Sequence, residues 1–316
     1  MILPTLEGAR TLTHSRMRAF KTCRRKHYYS YILGVRREQS EALRIGSMVH
    51  EALDMLKKGF APADVKDAID TNYATLIDAA NSDEFAIAMT TERAKVTCMV
   101  DGWIWRWSET PIEYVASEIA FEIPLRNPTP GGRVSRVYRL AGKADGIATL
   151  EDGRLALVEH KTSGESLAAD GSYWQRLRID EQISTYMIAA RELGYAVVAV
   201  LYDVLRKPSI RLKQSETVAE YAERFMADIY ERPDFYFARR EIVRLESDLD
   251  DMRRELWQIA HEVRLAERNG THYRNPGACV SPYPCEYLDC CANGTDMIAD
   301  TPAGMVRVRN LNPELE

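Results

Sequence analysis

Apolar residues recur along the chain at two spacings, and the switch between them marks the elements. Met17, Phe20, Cys23, His27 and Tyr31 fall at steps of three and four, which predicts a helix from an N-cap at Ser15 toward Tyr31 with this stripe inward. A second helix is read from Gly46, with Met48/Val49, Ala52/Leu53 and Leu56 as its core face. From Ala63 to Trp107 the period stays helical. Val96, Met99, Val100, Trp103 and Trp107 form one packing stripe there, Trp105 lies off it, and Cys98 reads as a small core residue.

The period then shortens to two. Tyr114 to Ile123 alternates like a strand, Asn127 to Gly132 is a loop by composition, and two more strands flank a turn at Glu151-Asp152-Gly153. After an irregular stretch from Gly164 to Trp174, a helix containing Asp180 to Tyr186 ends at Gly194, and the valine-rich Tyr195 to Leu205 reads as a buried strand. Helices are expected over Glu216 to Tyr230 and Glu246 to Arg268. Phe235 to Arg240 between them is a strand or an aromatic-basic contact, with the strand favoured. The class is α/β.

The turn at Gly153 fixes a register. A three-residue hairpin loop ends in a left-handed position that suits glycine, so Leu150 should face Arg154 and Asp145 should face Glu159. Successive side chains alternate faces, which puts Glu159 and Lys161 together and turns His160 away. Two carboxylates opposed across a strand pair repel each other. A divalent cation between them, with Lys161 beside it, would turn that defect into a site.

The 316 residues, 46% hydrophobic and 28% charged, are enough for a sizeable core. There is no apolar run of bilayer length and no secretory signal pattern, so a cytoplasmic location is expected, without membrane contact. A net charge of −5 argues against a protein coated in positive charge. Arg16, Arg18, Lys21, Arg24, Arg25 and Lys26 nevertheless form a local basic run, read either as a solvated helix surface or as a DNA phosphate contact. Of six cysteines, Cys279, Cys285, Cys290 and Cys291 crowd near the C-terminus, with Cys23 and Cys98 far upstream. Such a group points to metal rather than disulfides in an intracellular protein, and its spacing lacks the paired motifs usual for zinc.

The ordered set Gly46-x-x-x-His50, Asp145, Glu159-x-Lys161 and Gln182-x-x-x-Tyr186, between Cys23 and the late cysteines, resembles the PD-(D/E)XK nuclease superfamily, in particular its RecB-like branch. The resemblance implies a restriction-endonuclease-like mixed sheet flanked by helices, with a helical insertion and a C-terminal cysteine segment. The corresponding divisions are 1–44, 45–111, 112–212, 213–270, 271–295 and 296–316 within one integrated domain. It implies Mg²⁺ or Mn²⁺ on Asp145 and Glu159, with His50 and the carbonyl of His160 as further ligands. Lys161 would be the catalytic lysine, supported by Gln182 and Tyr186, and Glu118 would lie near the metal. One early and three late cysteines are also similar to the arrangement in CRISPR-adaptation and AddB-type nucleases, which implies a [4Fe–4S] cluster on Cys23, Cys279, Cys285 and Cys291. The implied activity is a DNA exonuclease acting on single strands or ends. With no helicase P-loop in the chain, unwinding would come from a helicase, recombination or CRISPR partner. A non-cleaving nucleic-acid-binding or assembly subunit and a zinc-stabilised structural protein are the competing readings.

Overall fold

The computed structural model describes residues 10–38, 40–80, 82–281, 283–312 and 315, so the outer parts of segments 1–44 and 296–316 lie outside the described residues. The chain enters through β1 (Thr11–Leu12) into α1 (His14–Thr22). The cap is Thr13, whose hydroxyl accepts the Arg16 N–H, rather than Ser15. Nor does one helix run on to Tyr31. Cys23 is extended (φ −162°, ψ 124°) and breaks it, after which come α2 (Arg24–His27) and a π-helical turn at Tyr28–Ile32. The inward stripe survives the break, because Met17, Phe20, His27 and Tyr31 are all buried.

β2 (Val35–Arg37) leads to α3 (Glu41–Lys57), which begins a full turn before Gly46. Next come α4 (Pro62–Asp78) and α5 (Asp83–Arg106), then the strands β3 (Glu113–Arg126), β4 (Val134–Thr149) and β5 (Leu155–Ser163). After α6 (Ser172–Leu177) and α7 (Glu181–Glu192), β6 (Val197–Arg206) returns parallel to β5. The rest is α8 (Val218–Glu231), α9 (Pro233–Tyr236), β7 (Phe237–Val243), α10 (Glu246–Asn269), α11 (Leu288–Ala292) and β8 (Met305–Arg307).

The sheet is mixed, and helices cover both faces. β3 lines one edge of β4, while the other edge is shared by β1, parallel at Arg139 and Leu140, and β5, antiparallel from Gly146 to Thr149. The β4–β5 register is the one the turn requires, with Gly153 left-handed at φ 84°. Between those two partners the edge of β4 from 141 to 145 has no ladder pairing among the described residues. That interruption positions the site.

One core places α7 and α10 on the sheet through residues such as Met187, Ile188, Leu249 and Leu256. A second holds α3, α4, α5 and α8 against the opposite side and includes Cys98. A third, small cluster of Tyr29, Leu33, Val35, Tyr287, Cys290 and Met297 lies where β2 pairs antiparallel with β8. Among the described residues no helix is long and apolar enough to cross a membrane.

Candidate active site

The open edge of β4 is occupied by a side chain instead of a strand. Asp145 follows the last ladder pair, and its Oδ2 accepts the His160 N–H at 2.7 Å, which the splayed ladder leaves to it. Its other oxygen, Oδ1, lies 3.6 Å from His50 Nδ1 on α3. Gly46, one turn earlier, allows this approach, since a Cβ there would sit 3.2 Å from Thr162 Oγ1.

Glu159 and Lys161 point to the same side. Lys161 Nζ donates to Glu159 Oε1 at 2.5 Å and to Gln182 Oε1 at 3.0 Å. Gln182 Nε2 closes the triangle on Glu159 Oε1 at 2.9 Å. Tyr186, a turn along α7, meets Phe121 edge to face and lines the same cavity of about 480 Å³. The structure thus brings His50, Asp145, Glu159, Lys161, Gln182 and Tyr186 together.

Glu118 joins them from β3. It stands at φ 47°, the only non-glycine among the described residues with positive φ, and it pairs with Lys58 at 2.6 Å and with Lys143. These cations hold its carboxyl down at about 2, against the opposing effect of partial burial.

His160 faces away from the cavity. Its ring is buried on the α5 side of the sheet, 2.9 Å from the Tyr114 hydroxyl and 3.3 Å from Asp203. Asp203 also accepts from Trp103 Nε1 at 2.7 Å and lies 3.3 Å from Arg239 Nε. Only the backbone of His160 therefore serves the site, through its N–H to Asp145.

The two carboxylates differ in acidity. Burial opposes the charge on Asp145, but His50, His160 and Lys57 outweigh it and hold the carboxyl well below the usual range. Burial, reinforced by the charge of Asp145, pushes Glu159 up despite Lys161. Lys161 is pulled down by burial, yet Glu159, Asp145 and Asp180 more than compensate, so its ammonium is held above its ordinary value.

Among the described residues no three His, Cys, Asp or Glu side chains are drawn together as a metal cage. The chemistry of the cavity still fits a hard dication. The carboxylates of Asp145 and Glu159 repel, which adds to the burial that raises Glu159, and an imidazole stands beside them.

Sequence reasoning missed Lys57. It lies one and two turns beyond Asp54 and His50 on one face of α3, a helical spacing that was legible, and its Nζ donates to the Asp145 carbonyl at 2.9 Å while pairing with Asp54 at 3.3 Å. Lys58, Lys143 and Asp54 also went unread.

Of the basic run only Arg16 is buried, Arg18 and Lys21 are exposed, and Arg24, Arg25 and Lys26 are half-buried and drawn to partners within the protein. Arg16 is a correction: only 1% exposed, it bonds Glu267 at 2.8 Å and His27 at 3.2 Å, which removes it from any phosphate-facing set. Lys21 pairs with Glu181, Arg24 with Glu262 at 2.9 Å and Lys26 with Glu286 at 3.2 Å, and Arg25 lies over the rings of Tyr28 and Tyr29. Arg18 remains exposed.

Cys23, Cys279 and Cys285 line one cavity between α1 and the C-terminal segment. Cys291 stands apart from that lining and accepts Arg274 Nε at 3.2 Å, while Cys290 is buried in the small third core. Burial raises the Cys285 thiol.

Residues 11–292 match the PD-(D/E)XK nuclease superfamily. Two solved structures resemble the chain at low identity. One, a protein of Eubacterium rectale whose name is an inferred exonuclease, is 13% identical with a TM-score of 0.45, covering 90% of this chain and 88% of its own. The other, SSO0001, is 14% identical with a TM-score of 0.30, covering 81% and 76%. No curated protein matches the sequence.

Proposed function

We propose that this chain, which belongs to the PD-(D/E)XK nuclease superfamily, is a divalent-metal-dependent deoxyribonuclease acting on single strands or DNA ends. One observation carries the reading: the Glu159–Lys161–Gln182 triangle faces the same cavity as Asp145 and His50. Asp145 and Glu159 would hold Mg²⁺ or Mn²⁺, with His50 and the His160 carbonyl as further donors. The bound ion supplies Lewis acidity and lowers the pKa of water.

The remaining steps belong to the chain. Lys161, kept charged by its carboxylate neighbours, places a positive charge against the oxygens of the phosphate as negative charge develops there. This favours an electrostatic role for it over that of a general base. Gln182 holds Lys161 and Glu159 in one geometry, and Lys57 fixes the backbone that carries Asp145. Anaerobic digestion of end-labelled single- and double-stranded DNA with Mg²⁺ or Mn²⁺ tests the assignment. Lys161→Ala and Asp145→Ala should each lower the rate by about 10²-fold or more, and a Lys161→Ala protein cleaving at the wild-type rate would overturn it.

A [4Fe–4S] cluster on Cys23, Cys279, Cys285 and Cys291 would tie α1 to the C-terminal segment. An anaerobic preparation should be brown, absorbing near ~400 nm as thiolate-bound iron–sulfur centres do. A colourless one with one zinc per chain would refute the cluster. The process served is recombination, repair or CRISPR adaptation, with a helicase or assembly partner supplying opened DNA and the cytoplasm as its place.

A further inference from the structure

A second cationic cavity lies at the far end of β4. Its volume is about 260 Å³, and it is lined by Arg133 and Arg136 of the β3–β4 hairpin and by Trp257, His261 and Arg264 of α10. An adjoining hollow shares His261 and Arg264 and adds Arg268. Among the described residues none of these four guanidinium groups forms an ion pair, although carboxylates are close at hand. Glu262 is engaged by Arg24, and Glu267 by Arg16 and by the Tyr138 hydroxyl at 2.6 Å. In a chain of net charge −5, four arginines gathered with a single lining carboxylate, Glu262, which is already paired with Arg24, make a surface suited to a polyanion.

The aromatic groups say which kind. The Trp257 and His261 rings lie 4.7 Å apart among the arginines, and such interleaving of planar rings with cations suits bases as well as phosphates. An acidic peptide would use the charges and leave the rings idle. We propose that this surface binds a single-stranded segment of nucleic acid, with phosphates on the arginines and a base against Trp257. About 23 Å of strand separates Arg136 from Lys143 at the catalytic cavity, so the surface grips the substrate several nucleotides from the scissile bond. The inference rests on nucleic acid being the substrate, as proposed above.

The test is anisotropy of a labelled 20-nucleotide oligothymidylate in EDTA, which reads binding without cleavage. Arg136→Glu with Arg264→Glu should weaken binding at least about tenfold at low salt and lower the salt slope by about 1.4 or more, the share of two single-strand phosphates. Both side chains are exposed, so urea midpoints should not move. Trp257→Leu should weaken binding without changing the slope. The charge-matched control Arg211→Glu with Arg309→Glu should bind within about threefold of wild type. Equal losses in control and test pair, wild-type affinity in the test pair, or poly-glutamate bound as tightly as the oligonucleotide would each overturn the proposal. Intact binding with no hydrolysis under any metal would sink the nuclease reading and leave this surface standing.

Discussion

His160 and Lys161 are neighbours with unlike surroundings because a strand sends them to opposite faces. Lys161 meets the cavity, whereas His160 enters a buried set with Asp203, Arg239, Trp103 and Tyr114. Removing the wholly buried Asp203 leaves a guanidinium and an indole N–H without their acceptor. Asp203→Ala should therefore cost about 3–5 kcal/mol in urea unfolding, with Asn recovering part of it. His27 gives a pH signature. Burial, then Arg16, lowers its imidazole from 6.5 to about 2, so only the unfolded chain takes up a proton as pH falls. The stabilisation is complete above about pH 6.5 and is lost at up to about 1.4 kcal/mol per unit below it. Urea midpoints should fall between pH 7 and 5, and His27→Gln should reduce that slope, leaving the parallel contributions of His14, which burial lowers to about 4, and of His272, which burial also lowers.

At the scale of elements, the β4–β5 register was legible because a local turn sets it, and Gly153 announces that turn. The interruption beside Asp145 was not. It depends on β1, a two-residue strand from the start of the chain, taking the edge of β4 that β5 vacates. Strands so short carry no periodicity. The break at Cys23 escaped for a related reason, since the apolar stripe continues through it and masks the change of path. Gly142 lies on the interrupted stretch, where an added Cβ would come within 2.6 Å of the Phe121 ring and 2.7 Å of Tyr186. Gly142→Ala should destabilise by about 1–3 kcal/mol and lower cleavage by displacing Tyr186. A crystal structure with Tyr186 unmoved and full activity would contradict this.

Across the whole molecule, the fold class was readable from alternating element types, whereas the fate of the basic run was not. Arg16 and Arg24 find Glu267 and Glu262 on α10, and sequence distance hides such partners. Together with the β2–β8 ladder they clasp the two ends of the described chain. A protein ending at Asn269 would uncover Tyr29, Leu33 and Val35, and it should elute from a sizing column as aggregate; a monomer with wild-type far-UV dichroism would refute the clasp.

That same ladder sets an order of assembly. Val35 pairs with Arg307, so a ribosome must release nearly everything in between before β2 finds its partner. The strands around Asp145 and Glu159 connect by a short turn and need no such wait. During synthesis the hairpin bearing the acidic pair can form early, whereas β2 and the small core around Tyr29, Leu33 and Val35 close last, making that contact the slow step and the point where a nascent chain most needs chaperone cover.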